Sequence, residues 1–351
     1  MTHRATSSRK RRLIGVNVER CIYCDRLGIR KEGKRYKKLE VVQLWYCPHC
    51  DAVFTPQKAK GKTYPLKVIL EALMLYYRGE TRATAIDRVQ SRYGVKLSPR
   101  TLSSWIAEYR ELTTYAKLRQ AGMQEYRPSR VIRSVRLHHQ QVYYYRYHRA
   151  KLDLVLDTPR HRKLMPMGQY LADMADKCPH HLFQTDARAS QGKAPFNLDA
   201  VEIRSTRNNA CRLANLVLQT VTQNRRRHDE LQRFMLIVDN VSVAVEVPIY
   251  LTPDDLEHQR KKLGFDIPLD ATETLTGHID ILQIRNGKIH IVDYKPGARL
   301  EKPIVQLMVY ALALSRRTGI KLFDFVCSWF DEHHYYEFYP LRVVHKVQPR
   351  R

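Results

Sequence analysis

The residues best placed to do chemistry flank Asn286-Gly287. Before it the chain reads Thr276-Gly-His-Ile-Asp280-Ile-Leu-Gln-Ile-Arg285, and after it Lys288-Ile-His-Ile-Val-Asp293-Tyr-Lys295. Asn-Gly between alternating apolar residues predicts a β-hairpin, because a type I′ turn needs positive φ at both central positions. With a two-residue turn Arg285 faces Lys288. The same register sets Asp280 opposite Asp293 in a non-hydrogen-bonded pair, with Cβ atoms about 4.5–5.5 Å apart. Lys295 lies two residues beyond Asp293 and points to the same face. Facing carboxylates repel, and a divalent cation would offset that repulsion. Mg²⁺ is typically held by one or two carboxylates, with its other positions open to water and phosphate oxygens. A lysine beside such an ion can orient or deprotonate the attacking water and stabilise charge on the phosphate. The residues outline a metal-dependent phosphodiesterase. A hairpin with a solvated charged face fits the same spacing, and the flanking residues decide between the two.

Downstream, Gln306 and Tyr310 are spaced i,i+4 and share one helix face. Upstream lies Val245-Glu246-Val247-Pro248. The ordered set Glu246, Gly277/Asp280, Asp293-Tyr294-Lys295 and Gln306/Tyr310 resembles the PD-(D/E)XK nuclease superfamily, and its Gln-x-x-x-Tyr step resembles the RecB/Cas4-like branch. The resemblance covers roughly residues 200–330. It implies a restriction-endonuclease-like core. It also implies a Mg²⁺ or Mn²⁺ site held by Asp280, Asp293 and the Tyr294 carbonyl, with Glu246 in the catalytic set and Lys295 as catalytic lysine. Gln306 and Tyr310 would orient the lysine or touch the DNA strand. RecB-like members usually carry a histidine on the helix before the core strand. Residues 203–223 contain none, and His228 is the nearest. Cas4-like members hold an iron–sulfur cluster through grouped cysteines, whereas Cys178, Cys211 and Cys327 are scattered singly and read as small buried residues.

The four other cysteines form Cys21-x-x-Cys24 and Cys47-x-x-Cys50, separated by 22 residues. That spacing suits a tetrahedral Zn²⁺ site in a zinc ribbon, a unit too small to fold without its metal. A strand is expected over Val41 to Tyr46, and the basic residues from Arg26 to Lys38 suggest DNA contact. Three helices follow, over about 66–78, 81–93 and 99–110. Gly94 suits a C-terminal stop, and Ser98-Pro99 a helix start. They resemble a helix-turn-helix of the transposase or resolvase kind, in which Arg100, Thr101, Ser103 and Ser104 would open the recognition helix. A plain helical bundle with a basic face is the alternative.

Charge supports a polyanion partner. The chain of 351 residues carries a net charge of +26, and its first 150 residues hold 32 Lys/Arg against 11 Asp/Glu. A basic N-terminal half joined to a nearly balanced remainder points to DNA. Without an apolar run of membrane length or a signal-peptide core, the sequence predicts a cytoplasmic, DNA-associated protein with no membrane partner. Arg9 to Arg12 read as a basic arm.

Residues 112–200 are the least legible. Val131 to Lys151 reads as a linker helix, and Tyr143 to His148 as either a buried element or a base-stacking stretch. A loop is expected over 191–195, a helix over 208–223, strands over Phe234–Val238, Ser242–Val247, Leu322–Phe330 and Tyr335–Tyr339. Arg225-Arg226-Arg227 reads as a solvated face that near a nuclease groove would hold phosphate.

The predicted fold is multidomain. A basic arm and small β zinc ribbon occupy 1–62, an all-α helix-turn-helix 63–115, a linker and helical region 116–199, and an α/β core with a central mixed sheet flanked by helices 200–351. The function these point to is a metal-dependent DNA nuclease, with recombination, repair or mobile-element proteins as candidate partners. Two alternatives stand beside it. One is a DNA-binding regulator or mobile-element accessory protein with an inactive core. The other is a DDE-type transposase whose first acidic strand would be Lys151 to Asp157.

Overall fold

The structure, a computed structural model, describes residues 13–14, 18–36, 40–55, 63–184, 187–191, 203–206, 208–221, 223, 226–263 and 273–344. The basic arm with Arg9 to Arg12, Lys37 and Lys38, most of the 191–195 loop, and Arg225 lie outside the described residues.

The N-terminal unit is a four-stranded sheet: β1 (Leu13–Ile14), β2 (Arg30–Tyr36), β3 (Val41–Cys47) and β4 (Ala52–Phe54). β3 is central, antiparallel to β2 and β4 and parallel to β1. Its buried cluster is only Cys21, Trp45, Cys47 and Phe54, far too little apolar surface to offset the ordering of about 40 residues. α1 (Leu66–Tyr77), α2 (Arg82–Tyr93) and α3 (Pro99–Glu108) follow. Their ends obey the capping rules. Thr81 accepts from Thr84 N–H, Gly94 takes φ 65°, and Ser98 accepts from Thr101 N–H with Pro99 in the first turn.

After α4 (Ala116–Glu125) the chain departs from the expected linker helix. β5 (Ile132–His139) and β6 (Gln141–His148) form a hairpin that turns on Gln140, at φ 60°. Tyr143, Tyr145 and Tyr147 are buried or half-buried, whereas Val142 and Tyr144 between them are exposed. That period of two, with aromatic residues on the inward face, favours a strand over the helix. α5 (Arg149–Leu156) covers Lys151 to Leu156 and is capped by Asp157, so the acidic strand of the transposase alternative is a helix. α6 (Met165–Asp176), β7 (Arg204–Thr206), α7 (Asn209–Leu218) and α8 (Arg227–Val238) come next. Phe234 to Val238, expected as a strand, is the last turn and a half of α8. A short apolar run fits a helix buried on every side as well as a strand, and all five residues are buried. The remaining elements are β8 (Ser242–Leu251), α9 (Pro253–Leu263), β9 (Leu275–Arg285), β10 (Lys288–Tyr294), α10 (Ile304–Thr318), β11 (Phe325–Phe330), β12 (Tyr335–Phe338) and α11 (Pro340–Val344). Leu322 to Asp324 is a 3₁₀ turn rather than the start of β11.

The main sheet runs β5-β6-β8-β9-β10-β11-β12-β7, antiparallel except for the β10–β11 pair. It is mixed and covered on both faces, consistent with a restriction-endonuclease-like core. One buried cluster joins α5, α6 and α10 to the sheet through Leu152, Met167, Leu307 and Ile279. The other joins α1, α2, α3, α7 and α8 to it through Leu73, Val89, Trp105, Leu213, Phe234 and Val292. The three helices of residues 66–108 therefore share an interior with the sheet. Two polar links reinforce that packing: Tyr115 N–H donates to Val238 O at 2.9 Å, and Arg233 lies 3.6 Å from Glu71. Lys151, fully buried on α5, donates to Leu236 O at 2.7 Å and Ser242 O at 2.9 Å, with Asp239 3.7 Å away. This cation fastens the helix after the hairpin to the α8–β8 corner.

Candidate active site

The β9–β10 hairpin has the register its turn demands. Lys288 pairs with Arg285, and the ladder continues to Val292 opposite Ile281. Asn286 and Gly287 take φ 54° and 71°, the two left-handed positions of a type I′ turn. One step beyond the ladder, the Tyr294 N–H donates to Asp280 Oδ2 at 3.0 Å, which ties the first carboxylate to the strand carrying the second. Lys295 Nζ stands 3.0 Å from Asp293 Oδ2. Lys295 N–H is itself fixed by Phe330 O at 2.9 Å, so β11 holds the end of β10 in place.

Glu246 joins this pair from β8. The β8–β9 register places Val245 opposite Ile281 and Val247 opposite Ile279, with Glu246 across from Asp280. Glu246 takes φ 52°, a left-handed conformation that costs a non-glycine residue energy and collects at functional sites. It also ends a strand pair. β6 meets β8 only at Arg146–Val245 and Tyr147–Ala244. Past Glu246, Pro248 has no N–H to offer a neighbour, and its carbonyl is taken by Tyr170 Oη at 2.8 Å. A cleft of about 950 Å³ opens at this fork. Tyr143, Tyr144 and Arg146 of β6, Gly277, His278 and Asp280 of β9, and Glu246, Lys295, Gln306 and Tyr310 all line it.

Helices from both layers reach in. On α8, His228 Nδ1 lies 3.3 Å from Asp280 Oδ2, and Gln232 donates to Glu246 at 2.8 Å. On α10, Gln306 donates to Tyr310 Oη at 2.8 Å. A Cβ at Gly277 would stand 2.6 Å from the Tyr310 ring, so the glycine lets α10 lie this close to β9. Tyr294 turns its ring away, fully buried, and its hydroxyl accepts from Arg227 at 3.0 Å. Arg227 also pairs with Glu332, so of the described arginines in this run it is Arg226 that lines the cleft.

The electrostatics are those of a crowded acidic site. Burial and then the charge of Asp280 push Glu246 up to about 8. The same two causes, in the same order, push Asp293 up to about 7. Burial would raise Asp280 as well, but its contacts with His228 and the Tyr294 amide hold it below its ordinary value. Burial disfavours the cationic forms of Lys295 and His228, yet the neighbouring carboxylates raise both. Once ionised, as cation binding would favour, three nearly buried carboxylates outnumber one lysine and one histidine and form an all-oxygen donor set. Such a set fits a hard cation such as Mg²⁺ or Mn²⁺.

A second donor set lies in the N-terminal unit. Cys21, Cys24, Cys47 and Cys50 gather their sulfurs within 4.8 Å of one another. The Cys21–Cys50 and Cys24–Cys47 separations are both 3.6 Å. That is too long for disulfides and close to the edge of about 3.8 Å that Zn–S bonds of about 2.3 Å set in a tetrahedron. The cluster is compatible with a zinc ribbon.

Among the expected DNA-contacting residues, Arg100 and Ser104 are exposed on α3, whereas Thr101 and Ser103 are half-buried. The Thr101 hydroxyl is engaged with Ser98 at 2.8 Å. Cys211 and Cys327 are buried, and Cys178 is half-buried.

His228 is the residue that sequence reasoning passed over as a site member. Its signal was its place at the head of a helix entering the core strand, five residues beyond the window searched. Among the described residues no helix is long and apolar enough to cross a membrane. No curated protein and no solved structure gives a significant match to the chain. Residues 161–323, which contain the three carboxylates, Lys295, Gln306 and Tyr310, match the family model described as PD-(D/E)XK nuclease superfamily.

Proposed function

We propose that this chain is a metal-dependent deoxyribonuclease that hydrolyses phosphodiester bonds and is brought to DNA by its N-terminal modules. The observation that carries the reading is the meeting of Glu246, Asp280 and Lys295 in the lining of one cleft, with Asp293 buried 3.0 Å from the lysine amine. Asp280, Asp293 and the Tyr294 carbonyl would hold a Mg²⁺ or Mn²⁺ ion, with Glu246 beside them, and the ion would polarise the phosphate and acidify a bound water. Lys295, oriented by Asp293, holds the attacking oxygen and meets the charge that develops on phosphorus. His228 fixes Asp280, and Gln232 fixes Glu246. Gln306 and Tyr310 would orient the lysine or touch the DNA strand, and Arg226 and Arg188, which line the cleft, would meet flanking phosphates.

The N-terminal half supplies targeting in this reading. The zinc ribbon presents the exposed β2, with Arg30, Lys31, Lys34 and Arg35. α2 and α3 act as a helix-turn-helix, with Arg100 and Ser104 foremost at the groove and Thr101 and Ser103 behind them. Recombination, repair and mobile-element machinery are the settings in which such a nuclease would work.

The test is cleavage of labelled circular and linear DNA, single- and double-stranded, with Mg²⁺, Mn²⁺ or chelator. The reading expects metal-dependent cleavage that Asp293→Ala and Lys295→Ala each abolish while DNA binding persists. DNA binding without cleavage by the wild type under every metal condition would leave a DNA-binding regulator with an inactive core.

A further inference from the structure

Three side chains outside the carboxylate site come together although the sequence gives them no shared motif. His139 ends β5, Cys178 follows α6, and His180 opens the next 3₁₀ turn. His139 Nε2 lies 2.9 Å from His180 Nδ1 and 3.9 Å from Cys178 Sγ, and the three ligand atoms fall within 4.8 Å of one another. We propose that His139, Cys178 and His180 form a second zinc site, separate from the four-cysteine cluster and from the carboxylates.

The distances suit that ion. Zinc bonds of about 2.0–2.1 Å to nitrogen and about 2.3 Å to sulfur place tetrahedral ligands about 3.3 Å apart for N···N and about 3.6 Å for N···S. The observed N···N separation of 2.9 Å falls somewhat short of the first value, and the N···S separation of 3.9 Å lies somewhat beyond the second. A thiolate with two imidazoles is a borderline-soft donor set that selects zinc over magnesium or calcium.

The surroundings are arranged as they are around metal-binding histidines. The remaining ring nitrogen of His139, Nδ1, lies 2.9 Å from His278 Nε2, the outer hydrogen bond that fixes tautomer and ring orientation. Phe183 stacks on the His139 ring at 4.0 Å between centroids, and Tyr143 stacks on His278 at 3.6 Å. His139 is 2% exposed, so its ring is held in one pose before any ion arrives. Three protein ligands leave a fourth position for water. The site joins the tip of the β5–β6 hairpin to the chain after α6. His278, its outer partner, lies on β9 two residues before Asp280 and lines the same cleft. The zinc would therefore stiffen the wall of the fork that Glu246 opens.

The experiment is zinc stoichiometry of the full-length chain, washed with excess Mg²⁺ to clear the carboxylates. It is run on the wild type, Cys178→Ser, His180→Ala and the ribbon variant Cys47→Ser/Cys50→Ser. His180 is exposed, so its replacement does not disturb the core. The expected result is that Cys178→Ser and His180→Ala each hold one zinc fewer than the wild type, and that the ribbon variant keeps one. Co²⁺ substitution should show a thiolate charge-transfer band in the ribbon variant that Cys178→Ser added to that background removes. Equal zinc in the wild type, Cys178→Ser and His180→Ala overturns the site and leaves a hydrogen-bonded histidine cluster. The readout is metal content rather than cleavage, so it stands or falls independently of the nuclease reading.

Discussion

Asp280 and Asp293 share one buried corner, yet their surroundings separate them. Asp280 receives the Tyr294 amide and His228, and Asp293 receives Lys295. The metal-free protein carries their mutual repulsion together with that of Glu246, and a bound cation relieves it. Saturating Mg²⁺ or Mn²⁺ should therefore stabilise the wild type by about 2.7 kcal/mol at a hundred times Kd, seen as a higher melting temperature. Asp280→Asn should lose most of that increment in a thermal scan with and without metal. Lys295→Ala should keep the increment while lowering the cleavage rate roughly 10²–10⁴-fold, below what the labelled-DNA assay detects. A lysine variant that lost metal stabilisation as well would show that Lys295 builds the site rather than acting on the substrate. Gly277→Ala drives a methyl group into the Tyr310 ring, an overpacking that should cost about 1–3 kcal/mol in a denaturant titration. In a Tyr310→Ala background the same glycine substitution should cost little, because the ring it strikes is gone.

The elements differ in how openly they announced themselves. Asn286-Gly287 dictated the β9–β10 register because a turn with two positive φ angles admits few residues. Thr81, Gly94, Ser98 and Pro99 marked helix ends by the same local logic. Glu246 was found through a resemblance, but nothing local reveals that it takes a left-handed φ and parts β6 from β8. Its conformation is imposed by the neighbouring strands. The β5–β6 hairpin was missed because Gln140, at its turn, carries no turn signature. Phe234 to Val238 was misread because burial on all sides erases periodicity. His139, Cys178 and His180 are brought together only by tertiary structure, 39 residues separating the first two. Lys151 is another such case. Burial drives its amine down to about 8, with Asp239 opposing. Between that value and the ordinary lysine value the unfolded chain holds a proton that the folded chain releases, so this group adds stability as pH rises. Lys151→Met should cost about 3–5 kcal/mol by stranding its buried partners. The gap between wild type and variant, measured by chemical denaturation, should widen from pH 8 to pH 10.

At the scale of the molecule, charge and chemistry are segregated along the chain. The first 150 residues carry most of the excess of Lys and Arg, whereas the four catalytic candidates all lie beyond residue 240. Affinity for DNA should therefore follow the N-terminal half. Replacing Lys31, Lys34 and Arg35 together by Ala should weaken binding evenly across sequences and reduce the salt slope by about 0.9 for each phosphate left unneutralised. The rate of cleavage at saturating protein should stay unchanged. Fluorescence anisotropy across a salt series, paired with single-turnover cleavage, separates the two effects. The strand order β5-β6-β8-β9-β10-β11-β12-β7 adds a temporal side to this division. During synthesis the basic N-terminal residues leave the ribosome first. Lys295 is anchored by Phe330, so the hydrolytic corner cannot set until β11 has emerged behind it. A product truncated before Phe330 should therefore fail to cleave DNA, whatever its basic N-terminal residues bind.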